Sequence, residues 1–414
     1  MSAAPRKVLL WTMALVAAST PRFATALDSN NSNICNLSSI STYQLDSFNG
    51  NVSQSFLQTK TSTRGFTQCE NATLISYDQE FNSLFAPNAS LNLIYADPSG
   101  DPIADEMGIW LWDRNQVWMA SASENNVSHV SILDLSNNTV KPLPVPNGIE
   151  VLNPNGGGYH NGKVYIAGDG NYTVPPCIYE VDPVTYQTEV VINSYFGLRF
   201  GGPNDVTWAS RGGKSWLFFT DDPLSEVYNN GQIPQVPDAT WRWDPLENTL
   251  LPVIDRTDIL VPNGIRVNKN STKLYVTDTP DPLVYGAAAV QTASGQSIYA
   301  ATSSSAIYSF DLDESGFPSS RRLFGIAERG IADGLHVDDA GRVWTGEQDG
   351  IVVRSPSGKV LGMVNALAIE GEDVVNSGTS PLQNFALAGD LLVVLAFNKI
   401  YTVQLSSQIV SDMT

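Results

Sequence analysis

Cysteine, histidine and charge are all scarce in this chain. Three cysteines and three histidines occur in 414 residues, and charged side chains make up only 16%. Three cysteines allow at most one bridge and one leftover thiol within a monomer. His129, His160 and His336 are scattered along the sequence, which disfavours a zinc site built from histidine and cysteine. No G-x-S-x-G elbow is present, and no serine or cysteine stands beside a histidine in a strand–turn–helix setting, which argues against a nucleophile-elbow hydrolase. Long apolar runs are missing beyond the first residues. Leu391 to Phe397 is of strand length, whereas spanning a bilayer takes about 20 residues. Bases are the scarcer charge, 23 Lys and Arg against 42 Asp and Glu, for a net −19. So acidic a chain repels nucleic acid and anionic membranes, and neither is expected as a partner.

What is present begins with a leader. Arg6 and Lys7 precede an apolar run from Val8 to Ala18, and Ala24-Thr25-Ala26 forms a small-residue cleavage pattern. Residues 1–26 therefore read as a signal peptide, and the mature protein is expected to be secreted. Cleavage removes Arg6, Lys7 and Arg22 and no acid, taking the charge from −19 to −22. N-x-[ST] sequons at Asn30, Asn36, Asn51, Asn71, Asn88, Asn126, Asn137, Asn171 and Asn270 suggest a glycosylated surface. Cys35 and Cys69, flanking the N-terminal segment, are the expected bridge, and Cys177, opening the apolar run CIYEV, is read as a buried structural thiol.

Roughly 390 residues remain after the leader, enough for several small domains or one large β architecture. Short β-branched and aromatic runs alternate with Gly, Asn, Asp and Pro turns, and no long pattern of helical period occurs. The runs repeat: GIWLWDRNQVWMASASENNVSHVSILDLSNNTVKPL, then GYHNGKVYIAGDGNYTVPPCIYEVDPVTYQTEVVI, then four further units of the same kind. Four strands per unit at a period of about 50 is the signature of a β-propeller blade. The expected fold is all-β, a six-bladed propeller of four-stranded antiparallel blades over residues 91–414, after an N-terminal segment at 27–90. The last unit, NFALAGDLLVVLAFNKIYTVQL, is one strand short, so Leu91 to Asp97 is expected to close the ring.

A propeller brings the N-terminal ends of its innermost strands to one mouth of a central channel. Glu106, Asn204, Asn263 and Asp333 precede IWLW, DVTW, GIRV and GLHV, and four residues on stand Trp110, Trp208, Val267 and Val337. Two carboxylates and two amide carbonyls are hard oxygen donors that suit calcium, with another divalent cation as the alternative. Each Asn-Gly or Asp-Gly taken singly is also an ordinary turn.

At these residues the chain resembles a known family. SYFGLRFGGPNDVTWASRGGKSWLFFTDDP, VPNGIRVNKNSTKLYVTDT and IADGLHVDDAGRVWTG follow in order the motifs of the SMP-30/gluconolactonase/luciferin-regenerating group, and the chain is most similar to its secreted fungal lactonohydrolases. The resemblance runs from about Glu106 to the C-terminus. It implies metal ligands at Glu106, Asn204, Asn263 and Asp333, with Asn204 a substrate-side contact in some members, and a lactone as substrate. The family's E-G-P-x-W reads E-M-G-I-W here, and Gly202 stands where some members carry a substrate-binding arginine. Arg199 matches the arginine of the longer G-x-R variant and is the expected replacement.

The implied reaction is calcium-dependent hydrolysis of a lactone, with the cation polarising the carbonyl and Asp333 doubling as ligand and general base. Asp278 is a candidate support for the site or a blade turn. His160 is a candidate for the substrate-lined mouth or a loop residue without a role. The insertion from Asp281 to Ser304 either caps the mouth or is a solvated loop. Two other readings stay open: a same-fold pathway enzyme catalysing cyclisation or another step, and a non-catalytic calcium-binding propeller. Paired-carboxylate glycosidase chemistry is possible on such a fold, but nothing singles out a pair. Oligomeric state is not legible.

Overall fold

A computed structural model of the chain describes residues 34–36, 69, 72–121, 127–223, 233–279, 290–291, 297–298, 305–327, 330–371 and 382–411. The leader, the sequons at Asn30, Asn51, Asn71 and Asn126, and most of the insertion lie outside them. Of the insertion, two short strands, Val290–Gln291 and Ser297–Ile298, are described, paired with each other.

The alternating runs fold as antiparallel strands, and tight turns hold their register. His160 pairs with Lys163 around Asn161-Gly162, and Arg211 with Lys214 around Gly212-Gly213. All four turn residues have positive φ, 49° and 76° in the first turn and 60° and 77° in the second. That is the two-residue geometry whose twist matches paired strands, and it favours Asn and Gly.

Besides that two-stranded pair, six sheets form the blades among the described residues, and their innermost strands are Glu106–Leu111, Pro154–His160, Pro203–Arg211, Pro262–Val267, Ala332–Val337 and Phe385–Ala388. The six-bladed propeller expected from the repeats is borne out. Blade 6 takes its outer strand from Leu91–Ala96, which pairs antiparallel with Lys399–Gln404, so the ring closes where the sequence indicated. The described parts of the N-terminal segment also join the propeller. Leu74–Ser76 pairs with Val360–Asn365 of blade 5, and Ile34–Asn36 pairs parallel with Leu74–Ser76. Cys35 and Cys69 form a disulfide across this edge, with Cα atoms 5.6 Å apart. The helix Gln79–Leu84, capped by the Asp78 side chain, buries Phe81 and Leu84 against the same blade.

One earlier expectation needs correction here. Asn36 lies within the added strand, only 3% exposed, with its amide oxygen accepting from Asn82 at 2.8 Å. A buried, bonded amide is closed to glycosylation in the folded chain. Asn88, Asn137 and Asn270 are exposed and Asn171 is half-buried. Cys177 is buried, and loss of solvation pushes its thiol up to about 11.

Apolar seams between neighbouring blades form the core. The seam from blade 6 to blade 1 joins Ala386, Val393, Leu395 and Ile400 to Val117, Met119 and Leu133. Truncating Ile400→Ala is expected to cost about 2–5 kcal/mol. Leu93→Ala, on the closing strand but 54% exposed, should stay within about 0.5 kcal/mol. Urea unfolding of the two variants checks this, and equal losses would contradict the seam's role.

Candidate functional site

Five of the innermost strands share one irregularity. The pairing register shifts between Glu106 and Ile109, Pro154 and Gly157, Pro203 and Val206, Pro262 and Ile265, and Ala332 and Leu335. A bulge of this kind re-aims the side chains within it. Asn204, Asn263 and Asp333 each occupy the second residue of their strand, within this bulge rather than ahead of the strand. All three are buried, at 5%, 6% and 5% exposure.

Glu106 stands one residue out of step, as the first residue of its strand. The backbone of blade 1 differs there too, because Met107 and Gly108 have φ of 76° and 62°. A buried methionine in the left-handed region is strained. A Cβ on Gly108 would meet the Phe385 carbonyl oxygen at 1.9 Å. This reversal accompanies the one-residue offset, and Glu106 still lies near enough to Asp333 to feel its charge.

That mouth is crowded with negative charge. Burial raises the Glu106 carboxyl well above its usual range, and nearby Asp333, Asp105 and Asp205 raise it further. Asp333 and Asp105 are raised as well, mainly by burial; Asp105 also acts on Asp333, against a hydrogen bond between Asp333 and Asn263. Only Asp205 has a basic partner, Arg266 at 2.8 Å. The same guanidinium also donates to the carbonyls of Gly157, Val206 and Ile265 at 3.1, 3.0 and 2.7 Å. Among the described residues, Asp105, Glu106 and Asp333 form no ion pair.

Supporting residues recur from blade to blade. Thr220 donates to the Asn263 carbonyl at 2.5 Å, and Thr277 to the Asp333 carbonyl at 2.9 Å. Each Thr-Asp dipeptide closing a second strand thus holds the candidate ligand of the next blade. Its carboxylate holds its own blade's entry loop: Asp221 accepts from Gly202 N–H at 2.8 Å and Asp278 from Val261 N–H at 2.9 Å. Asp278 is therefore a loop anchor beside the site. Asn204 Nδ2 donates to Asp222 at 3.1 Å and Asn384 Nδ2 to Glu106 at 3.3 Å.

Of the two expected substrate contacts, the structure sets His160 away from this cluster and engages the Arg199 guanidinium with a neighbouring loop. His160 is the last residue of its innermost strand, at the opposite end from the mouth, where its ring stacks on Trp208 at 4.3 Å. Six steps of about 3.3 Å along a strand account for the separation. Arg199 sits on the entry loop of blade 3, with Nε and Nη2 both donating to the Ile233 carbonyl at 3.2 and 3.0 Å. Its bonds go to a neighbouring loop. Beneath the mouth, Trp110, Trp208, Arg266, His336 and Val410 line a channel cavity of about 80 Å³.

Sequence reasoning missed four mouth residues. Asn155 is the blade 2 counterpart of Asn204 and Asn263, second in Pro154–His160; its signal was the shared Pro-Asn step at Pro154-Asn155, Pro203-Asn204 and Pro262-Asn263. Asp105 and Asp205 stand next to chosen residues. Asn384 carried no motif. No group of three or more His, Cys, Asp or Glu side chains poised to hold a metal occurs among the described residues, and the set assembled here is two carboxylates with two amides.

The comparisons with known proteins follow this geometry. No family model matches the chain. It is 25% identical over 355 residues to the lactonohydrolase oryH of Aspergillus oryzae, covering 72% of this chain and 74% of that protein. It is 28% identical over 264 residues to the gluconolactonase of Zymomonas mobilis, covering 59% of this chain and 60% of that enzyme's length. A gluconolactonase of Xanthomonas campestris superposes with a TM-score of 0.60 at 19% identity, over 80% of this chain and 94% of its own. A regucalcin of Agrobacterium tumefaciens, described as calcium-binding, superposes at 0.51 and 12% identity, over 79% and 98%. The structural likenesses show the fold, and with the sequence relatives they bear out the resemblance to the SMP-30/gluconolactonase group.

The loop anchors make stability depend on pH. Burial, reinforced by Asp238 and Asp169, lifts Asp221 to about 8 against its backbone bonds, and burial lifts Asp169 to about 7. Between the unfolded value of about 4 and these values, the folded state holds protons that the unfolded state has lost. Stability is then highest below that window and falls as pH rises through it. Asp221→Asn is expected to flatten this decline in urea titrations from pH 4 to 8, and an unchanged slope would refute the assignment.

Proposed function

We propose that this chain, with its relatives among lactonohydrolases and gluconolactonases, hydrolyses a lactone to the hydroxy acid with the help of a calcium ion. The observation that carries this reading is the convergence of Glu106, Asn204, Asn263 and Asp333 from four blades on one mouth, where Glu106 and Asp333 crowd together with no basic partner among the described residues. Their donor atoms fit a hard cation: two carboxylates and two amides, with neither thiolate nor imidazole among them. When bound, such an ion polarises the ester carbonyl and lowers the cost of charge on its oxygen.

The chain's own residues supply the rest. Asn204 is fixed through its Nδ2 on Asp222, which leaves its amide oxygen as the donor that would help to hold the cation. Thr220 and Thr277 hold the backbones of Asn263 and Asp333, so both side chains are positioned before substrate arrives. Asn384 orients Glu106, and Asn155 brings a further amide to the mouth. Asp333 takes the proton from the attacking water as its oxygen adds to the carbonyl carbon. The ring C–O bond then breaks, and the departing oxygen takes the proton back, leaving the hydroxy acid. The leader, the exposed sequons and the Cys35–Cys69 bridge support secretion as the setting.

Turnover of a lactone panel, followed by acid release, is expected to vanish with a chelator and return with calcium. Asp333→Asn should lower kcat by about 100-fold or more while calcium still raises the unfolding temperature. Glu106→Gln should weaken that calcium-induced rise. Full activity in the presence of chelator would sink the proposal.

A further inference from the structure

One turn on the mouth face departs from the residue preference that the hairpin turns at the opposite face obey. Tyr195 and Leu198 exchange two backbone hydrogen bonds, both 2.9 Å, around Phe196-Gly197. The two central residues have φ of 51° and 81°, the geometry seen at Asn161-Gly162 and Gly212-Gly213. Such a turn prefers Asn-Gly, and phenylalanine at its first position is strained. Three other large apolar or aromatic residues at positive φ, Met107, Tyr186 and Phe397, are each at least partly covered by the protein. Tyr186, for example, stacks near Trp118 and lies under Lys141. Phe196 is 90% exposed. Its ring meets Tyr195 at 4.7 Å, which leans on Trp241 at 4.9 Å.

Two more exposed apolar side chains lie on the same loop and the one bonded to it, Leu198 at 43% and Ile233 at 68% exposure. They come from two loops that are strapped together. Arg199 grips the Ile233 carbonyl, its N–H donates to Gln235 Oε1 at 3.1 Å, and its carbonyl accepts from the N–H groups of Gln235 and Val236 at 2.9 and 3.2 Å. The platform is tied to the site as well. The Gly202 carbonyl accepts from Asp222 N–H at 3.1 Å, and Asp222 anchors Asn204. The loop enters the innermost strand of blade 3 at its mouth end, and the six steps from Leu198 to Asn204 span at most about 20 Å.

We infer that Phe196, Leu198 and Ile233 form a rigid apolar platform at the mouth that binds an alkyl or aryl substituent of the lactone, so that the substrate is an apolar-substituted lactone. This rests on the lactonase reading and adds a substrate class to it. A strained, exposed aromatic persists where surrounding structure over-determines it, and such strain gathers at ligand contacts. A platform fixed by backbone and guanidinium bonds loses little freedom when a ligand settles on it. Its hydrogen-bond link to Asn204 favours the substrate of this site over a separate partner.

The test compares δ-dodecanolactone with unsubstituted δ-valerolactone, on the whole protein with calcium. Wild type should turn over the alkyl lactone at least about tenfold better in kcat/KM. Phe196→Asn puts the preferred residue into the turn, so its unfolding midpoint should hold or rise. The same variant should erase most of the alkyl preference through KM and leave δ-valerolactone unchanged. Ile233→Ser should act in the same direction without touching the turn. Hydrolysis of both lactones at similar kcat/KM would overturn the platform and leave the lactonase reading standing. Hydrolysis of neither, on these or any other lactone, would overturn both. Vesicle binding or dimer formation lost in Phe196→Asn, with lactone preference intact, would also overturn it by giving the surface to a lipid or a second copy.

Discussion

Ring closure is the constraint on which the rest of this molecule depends. Ile400 pairs with Tyr95 and Val403 with Leu91, joining the last blade to a strand from the first quarter of the chain. Without that ladder the last sheet would keep an unpaired edge. With it, six innermost strands stand around one axis, all starting from the same mouth. Side chains far apart in sequence then meet there, and the price is a cluster of carboxylates that burial and mutual repulsion disfavour.

The fold manages this cluster with small recurrent devices. Bulges at the mouth turn side chains of three blades inward. The Thr-Asp dipeptides at the ends of the second strands of blades 3 and 4 fix the backbones of Asn263 and Asp333 with hydroxyls and the entry loops with carboxylates. Arg266 pairs with Asp205, whereas Asp105, Glu106 and Asp333 form no ion pair among the described residues, and it ties three blades through their carbonyls. The fold itself hosts many chemistries, so these particular residues, rather than the propeller, carry the argument for a lactonase.

Mouth and platform are connected physically. Asp222 bonds both to Asn204 and to the loop that carries Leu198 and Phe196, so strain at the turn and order at Asn204 belong to one bonded unit. Stored strain of this sort is relieved by any residue suited to a left-handed turn. Its presence at an exposed aromatic marks a place where contact outweighs local stability.

The sequence by itself determined the strands, the hairpin turns, the six-fold repeat, the closing strand and the four residues nominated as ligands. Period-two patterning, Asn-Gly turns and the repeat length are local features, and residues at the same end of equivalent strands must converge. Only the tertiary structure decided which residues share a phase. Counting from Trp110, Trp208, Val267 and Val337 placed Glu106 in line with the others, yet its strand runs one residue out of step, and the left-handed Met107-Gly108 pair accompanies the offset. That count did not reach Asn155, and of the two readings open for His160 the mouth is the one its place at the far end of Pro154–His160 disfavours. Asn36, a plausible sequon as text, became a buried strand residue once its segment added to blade 5. Burial, strand direction and local backbone reversal arise from contacts between distant segments, and no pattern along the chain encodes them.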